Sequence, residues 1–290
     1  MSFEDSDKPD FRGTWPGAHE SDIPDRRLAK TVLETLSEKY ETYSIPSVSV
    51  LVDTGSFFDK LGRKRGFGSS AAAALLFAKA MAPDVDSDSL TQSAIEAHRE
   101  FQGGRGSGYD VLTSARGGAG LFTGGRFPIW ESLFWPEDIE SWLLKGPLPV
   151  RTPEAVVKYQ QWKRDHTHQY NILMDEMDSV IRELRSFEGG DCVPWIEHLK
   201  KLADIGITLG DQIGVQARPH DFGGLGKDLL SGRRDGAVLK CLGAGDELAL
   251  LITEKNNLGD SEKQLLVGLE QAGKAERLVI EHDGLRNDLV

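Results

Sequence analysis

The chain is poor in cysteine, lacks a long apolar run and has no excess of positive charge. Its two cysteines, Cys192 and Cys241, lie far apart without a Cys-x-x-Cys pair, which argues against a disulfide framework or a zinc site. No apolar run approaches the roughly 20 residues of a membrane span, and Met1–Asp5 is acidic where a signal peptide would be basic. The net charge of -12 argues against nucleic-acid and membrane-surface binding. We therefore expect a cytoplasmic protein without nucleic-acid or membrane partners.

The composition is that of an ordinary globular protein. With 290 residues, 39% of them hydrophobic and 28% charged, the chain can bury a sizeable core, and two domains are the natural expectation. The tract Gly146-Pro147-Leu148-Pro149 is typical of a boundary, which predicts an N-terminal domain over 1–146 and a C-terminal domain over 147–290. Helical and strand patterns alternate irregularly, which favours an α+β protein over a regular βαβ sheet.

Hydrophobic periodicity predicts most of the elements. Residues 1 to about 23 show no period, so we expect an irregular lead-in. The spacing of apolar residues and the turn signals predict helices and strands elsewhere. Predicted helices begin after Pro24, near Ser70, near Ser89, at Thr152 and near Ser261, and predicted strands cover 47–53, 236–240, 248–253 and 277–281.

A glycine-rich stretch, 66–71, opens one of these helices. Gly66 and Gly68 permit a tight turn, and the alanine run that follows favours a helix whose first N–H groups suit an anion. Three interpretations are open: a small-residue helix start packed on a sheet, a dinucleotide loop, and another phosphate-binding loop. The charged segment 59–65 stands where a dinucleotide loop needs a strand, and no Gly-Lys-Ser/Thr completes a Walker A loop. We favour the third interpretation.

A second glycine-rich stretch, 103–108, contains four glycines in six residues and is followed by Asp110. Such a loop lets the backbone approach a ligand, while Arg105 can bind an anion and Asp110 can take a proton. Alternatively, Arg105 is a surface arginine, and Asp110 is a turn carboxylate that caps the following segment. A third glycine group, 243–245, lies between two predicted strands.

These three stretches resemble, in the right order, three landmarks of the GHMP kinase superfamily. The stretches are Gly66-Phe67-Gly68-Ser69-Ser70-Ala71, Gly106-Ser107-Gly108-Tyr109-Asp110 and Lys240-Cys241-Leu242-Gly243-Ala244-Gly245. Within the superfamily, Ala97–Val111 is most similar to the phosphomevalonate kinases, and the resemblance covers roughly residues 30 to 255. It implies a two-domain GHMP kinase-like fold, with a ribosomal S5 domain 2-like N-terminal domain and a ferredoxin-like C-terminal domain.

The resemblance also implies ATP and Mg²⁺ as cofactors, and a set of site residues. It assigns Asp110 as the catalytic residue that accepts or orients the proton of the acceptor. Ser70 would be a magnesium ligand, and of the two helix acids Glu96 and Glu100 we prefer Glu100 as the second. His98 is interpreted as a hydrogen-bonded structural histidine. The implied ATP-binding residues are Gly66, Gly68, Ser69, Ser70, Ala71, Gly243, Ala244 and Gly245, and the implied acceptor-binding residues are Arg105, Gly106, Ser107 and Gly108.

One superfamily landmark is not found. The usual opening segment, of the Pro-Gly-Lys/Arg-Val…Gly-Glu type, has only a superficial echo at Trp15–Glu20. We therefore expect an N-terminal domain that lacks or has altered its first hairpin. The resemblance implies an ATP-dependent kinase for phosphomevalonate, in isoprenoid precursor synthesis. The alternatives are a kinase for mevalonate or a sugar, and a catalytically impaired nucleotide-binding homologue.

Overall fold

A computed structural model describes most of the chain as two compact units. The described residues are 3–5, 10–14, 24–40, 48–58, 68–104, 106–147, 152–225, 235–243, 245 and 247–285. Unit 1 comprises residues 1–132 and 280–290, and unit 2 comprises residues 133–279. None of the described helices is long and apolar enough to cross a membrane.

The described residues of unit 1 form a three-stranded sheet, a strand pair and four α-helices. The sheet has the order β1-β3-β2, and β4 pairs with β5. The elements are β1 (Phe3–Asp5), β2 (Asp10–Thr14), α1 (Pro24–Lys39), β3 (Val48–Asp53), α2 (Ser69–Met81), α3 (Ser87–Phe101), α4 (Tyr109–Arg116), β4 (Ala119–Thr123) and β5 (Ile129–Leu133).

The irregular lead-in predicted for residues 1–23 is wrong where the structure describes it. β1 pairs antiparallel with β3 and β2 pairs parallel with it, so that Phe3 and Phe11 both lie opposite Val50. These short strands form because the two edges of β3 offer unpaired backbone groups, which is a tertiary effect without a local sequence signal. The described N-terminal strands flank β3 and do not pair with each other as a hairpin.

The core of unit 1 is built around α2. Of its alanines, Ala71, Ala74 and Ala78 are fully buried, and Phe77 belongs to the same core cluster. Small side chains let α1 and α3 approach α2 closely, since helix separation depends on the residues at the contact. This packing fixes the position of the N-terminus of α2, where the first glycine-rich stretch ends.

Unit 2 contains an antiparallel sheet of the order β7-β8-β6-β9. The helix α7 covers one face with Trp195 and Ile196, and α8 packs Leu266 on the other. The chain order and strand order are those of a ferredoxin-like β-α-β-β-α-β unit, which confirms the predicted topology. The elements are β6 (Ile139–Lys145), α5 (Thr152–Asp165), α6 (Thr167–Arg185), α7 (Cys192–Ile213), β7 (Ala237–Leu242), β8 (Leu248–Glu254), α8 (Asp260–Gln271) and β9 (Ala275–Arg277).

Three sequence expectations differ from the structure in detail. The domain boundary predicted at 146/147 lies between β6 and α5, whereas the chain passes from unit 1 to unit 2 after residue 132. The strand β6 belongs to unit 2 because it pairs with β8 and β9. The last strand is β9 rather than 277–281, because its position is set by pairing with β6. The helix α4 was not predicted, since its eight residues follow a glycine-rich stretch that favours a loop.

The N-terminus of α7 provides a test of the described packing. Asp191 is its N-cap, and its carboxylate accepts a hydrogen bond from the Val193 N–H at 3.0 Å. We expect Asp191→Ala to lower the free energy of unfolding by about 1 kcal/mol, the usual cost of losing such a cap, as measured by denaturant unfolding. The matched control is Asp204→Ala, since Asp204 is exposed in the middle of the same helix. Equal losses in the two variants would contradict the capping role.

Candidate active site

The first part of the site is the N-terminus of α2. Gly68 is its N-cap with a φ of 72°, and the carbonyl of Gly68 accepts the N–H of Ala72 at 3.0 Å. No side chain among the described residues caps this helix, so its first-turn N–H groups remain available for an anion. Gly66, the other predicted glycine of this loop, lies outside the described residues.

The second part is the N-terminus of α4, which carries Asp110 in its first turn. Gly108 precedes it with a φ of 84°, and a Cβ at this position would lie 2.7 Å from Cγ2 of Ile95. Only glycine fits there, because any side chain would be strained and would clash. A Cβ built on Gly68 would lie 3.6 Å from the Cβ of Asp110. The structure thus brings the ends of the two predicted glycine-rich stretches together.

His98 of α3 lies between the two helix starts. Its Nε2 is 3.0 Å from the Ser70 hydroxyl, and its Nδ1 is 3.8 Å from Oδ2 of Asp110. The imidazole is 1% exposed, and within the described part of the chain its Nδ1 has no hydrogen-bond partner. The predicted metal ligand and the predicted catalytic carboxylate therefore lie on either side of one buried ring.

The surroundings of His98 determine its protonation. Burial lowers the pKa of His98, although the nearby Asp110 carboxylate opposes this effect, so the ring is neutral near pH 7. The amide nitrogen of Gln102 lies 3.3 Å from Nε2, and an amide nitrogen can only donate. Nε2 therefore contacts two polar groups, the Ser70 hydroxyl and the Gln102 amide, which together hold the ring in place. The donor and acceptor roles at Nε2 follow the tautomer of the ring.

The loop before α4 is held by Arg99, which the sequence analysis did not identify. Its guanidinium donates to the carbonyls of Gly106 at 3.0 Å and Ser107 at 2.5 Å. It also donates to the carbonyls of Gly125 at 2.7 Å and Arg126 at 3.0 Å. Arg99 thus fixes the backbone of two of the predicted acceptor-binding residues, Gly106 and Ser107, whereas Arg105 lies outside the described residues.

The structure does not bring Glu100 to Ser70. Glu100 is exposed, and it lies two residues after His98 on α3, which places it about 200° around the helix from the ring that contacts Ser70. Glu96 is engaged elsewhere, since it pairs with Lys39 at 2.6 Å. The geometry therefore argues against Glu100 as the second metal ligand.

The remaining donors still fit Mg²⁺. The described residues contain no group of three or more His, Cys, Asp or Glu side chains that could hold a metal on its own. Mg²⁺ is commonly held by one or two protein oxygens together with substrate phosphates. The Ser70 hydroxyl and the Asp110 carboxylate supply such oxygens next to a helix N-terminus that suits phosphate.

The third predicted motif belongs to unit 2. Gly243 is exposed with a φ of 68° directly after β7, and Gly245 is buried. Ala244 lies outside the described residues. The contribution of these residues to an ATP site stays a prediction.

His98 could have been found from the sequence as part of the site. It lies on the buried face of α3 with Ala94 and Ala97, and Gln102 follows it by four residues. Side chains four residues apart meet on one helix face. A histidine and an amide at this spacing, just before a glycine-rich loop, indicate a polar contact directed at that loop.

Part of the chain matches a known family model. Residues 27–118 match the family described as GHMP kinases N terminal domain. No curated protein sequence matches the chain significantly.

Several solved structures share the fold. The Lin0012 protein of Listeria innocua is 19% identical with a TM-score of 0.75, covering 96% of this chain and 87% of its own. Streptococcus pneumoniae phosphomevalonate kinase, solved with phosphomevalonate and AMPPNP, is 15% identical with a TM-score of 0.67, covering 97% and 88%. L. major mevalonate kinase, solved with R-mevalonate, is 13% identical with a TM-score of 0.61, covering 98% and 86%. The fold prediction is confirmed, and residues 27–118 are similar to the N-terminal domain of the GHMP kinases.

Proposed function

We propose that this protein transfers the γ-phosphoryl group of ATP to a small-molecule acceptor, and that the acceptor is phosphomevalonate. The observation that carries the proposal is that the N-termini of α2 and α4 lie together at Gly68 and Asp110. His98 lies between Ser70 and Asp110. Phosphoryl transfer requires alignment, a metal and charge stabilisation more than covalent participation of the protein. These residues supply the elements of that chemistry.

Each residue has a defined task in the proposed reaction. The N–H groups at the start of α2 bind phosphate oxygens, and Ser70 holds Mg²⁺, which neutralises charge on the transferred group when bound. Asp110 accepts or orients the proton of the acceptor hydroxyl. Arg99 keeps the loop 106–108 in place for the acceptor. Gly243–Gly245 would add contacts to ATP.

The choice of phosphomevalonate rests on the sequence of α3 and the loop that follows. His98, Gln102, Gly106–Gly108 and Asp110 match the run that resembles the phosphomevalonate kinases. The S. pneumoniae enzyme of that name has the same fold, which is compatible with this acceptor, although mevalonate kinase shares the fold as well. We assign the reaction to cytoplasmic isoprenoid precursor synthesis.

A second candidate is a nucleotide-binding homologue with impaired catalysis. Two observations favour it: the usual opening motif is not found in the sequence, and Glu100 lies away from Ser70. Such a protein would bind ATP through α2 without productive transfer to an acceptor.

The deciding experiment is a screen for ADP release with MgATP and phosphomevalonate, mevalonate or a sugar. We expect ADP formation that depends on the acceptor and is highest with phosphomevalonate, together with a phosphorylated product seen by ³¹P NMR. Calorimetric titration with AMPPNP measures nucleotide binding separately. Binding without acceptor-dependent ADP would support the impaired homologue, and a preference for another acceptor would correct the substrate.

A further inference from the structure

A cavity in unit 2 borders Gly243 of the third motif and is otherwise lined by residues that have no task in the proposed phosphoryl transfer. It has a volume of about 320 Å³ and lies between α5, α7 and the end of β7. This volume is at the lower end of the range of small-molecule sites, which is roughly 300–1,000 Å³. Most of the wall is aliphatic, with Ala155, Leu202 and Ile207 as examples.

The helix α7 keeps this cavity open with a glycine. Gly206 lines the cavity, and a Cβ built there would meet no atom within 4 Å. By contrast, a Cβ on Gly210 of the same helix would lie 2.5 Å from the Cβ of Ala217, so packing requires that glycine. A glycine inside a helix is destabilising relative to alanine, and the close packing that explains Gly210 is not present at Gly206. The lack of a side chain at Gly206 leaves this space in the cavity open.

The wall also contains a cation, Lys240, that makes one hydrogen bond within the described part of the chain. Lys240 lines the cavity, and its ammonium group donates to the carbonyl of Cys241 at 3.2 Å. An ammonium group has three donors, and no carboxylate among the described residues pairs with Lys240. Burial lowers the pKa of Lys240, which reflects the cost of holding a charge there without an anion.

The phenol of Tyr159 also lines the cavity. Burial, reinforced by a hydrogen bond with Tyr170, raises the pKa of Tyr159 to about 12. Tyr159 is therefore a neutral phenol near pH 7, and its hydroxyl adds no negative charge that would satisfy Lys240.

We propose that this cavity binds a small amphipathic anion, with its aliphatic part against the apolar wall beside Gly206 and its carboxylate or phosphate group at Lys240. The apolar lining and the single cation are complementary to that chemistry. The residues that carry the argument, Gly206 and Lys240, have no task in the proposed phosphoryl transfer, although Gly243 of the third motif borders the same cavity.

Calorimetric titration of the full chain with octanoate, octyl phosphate and octan-1-ol tests the proposal. We expect at least one anion to bind about 10-fold more tightly than the alcohol, as a hydrogen bond to a charged group provides. The comparison of the two anions distinguishes a carboxylate site from a phosphate site. Anion binding no tighter than that of the alcohol would overturn the proposal.

Variants test the charge of Lys240 and the space beside Gly206 independently. Lys240→Met should weaken anion binding about 10-fold and leave the alcohol unchanged, and Lys240→Arg should restore most of the loss. Gly206→Leu should abolish binding of all three probes by filling the cavity, whereas Gly206→Ala is the matched control that should retain it. Circular dichroism verifies that each variant is folded. Wild-type anion binding in folded Lys240→Met would refute the proposed role of the cation.

Discussion

Asp110→Asn should lower kcat for acceptor-dependent ADP release about 1,000-fold, which is within the range for loss of a general base. The asparagine keeps the size of the side chain and can still accept the Val111 N–H, which lies 3.0 Å from Oδ1 of Asp110. It removes the negative charge and the ability to take a proton. The affinity for AMPPNP should change by less than about 10-fold, because the N–H groups of α2 are unaffected. Coupled kinetics and calorimetry measure the two quantities separately.

The control for this variant is Asp88→Asn in the same unit. Asp88 is exposed and pairs with Arg116 at 2.6 Å, and an exposed pair of this kind contributes little to stability. Its kcat should stay close to that of the wild type. If Asp110→Asn also retained wild-type turnover, the catalytic assignment of Asp110 would be wrong, whereas ATP binding at α2 would remain a separate question.

The elements with a strong local signal could be predicted from the sequence. The helix α2 was expected from about Ser70 to Met81 and is found at Ser69–Met81, because an alanine run favours helix and Gly68 supplies the left-handed turn before it. The strands β7 and β8 were predicted for a similar reason, since each is apolar and they flank a glycine group.

Other features depend on contacts between distant residues. The strands β1 and β2 exist because β3 offers two edges, and α4 is a short helix stabilised by burial of Val111 and Leu112. Helical periodicity places His98 on a buried face of α3, but it does not show that Ser70 and Asp110 meet that face. The packing of α2, α3 and α4 brings these three residues together. No local pattern in the sequence of any one helix predicts that packing.

The link between Ser70 and His98 gives the second large effect. Ser70→Ala removes both the hydroxyl that we assign to Mg²⁺ and the hydrogen bond to Nε2 of His98. We expect kcat/KM to fall about 100-fold, which is the upper end of the effect on activity of losing a group that positions a metal ion. The Mg²⁺ concentration for half-maximal activity should rise as well. Initial rates measured across a Mg²⁺ titration at saturating acceptor test this. The control is Ser87→Ala, an exposed serine at the start of α3, which should behave as the wild type.

His98→Asn separates positioning from coordination. The asparagine leaves the Ser70 hydroxyl present but removes the ring that hydrogen-bonds to it, so the hydroxyl is no longer held in position for the cation. We expect a loss of about 10-fold, smaller than for Ser70→Ala, that is partly recovered at high Mg²⁺. In Ser70→Ala the further substitution of His98 should add little, because both act through the same hydroxyl and such effects are not additive. A double variant in which the two losses multiply would show that His98 acts independently of Ser70, and would disprove the link on which the arrangement of this site depends.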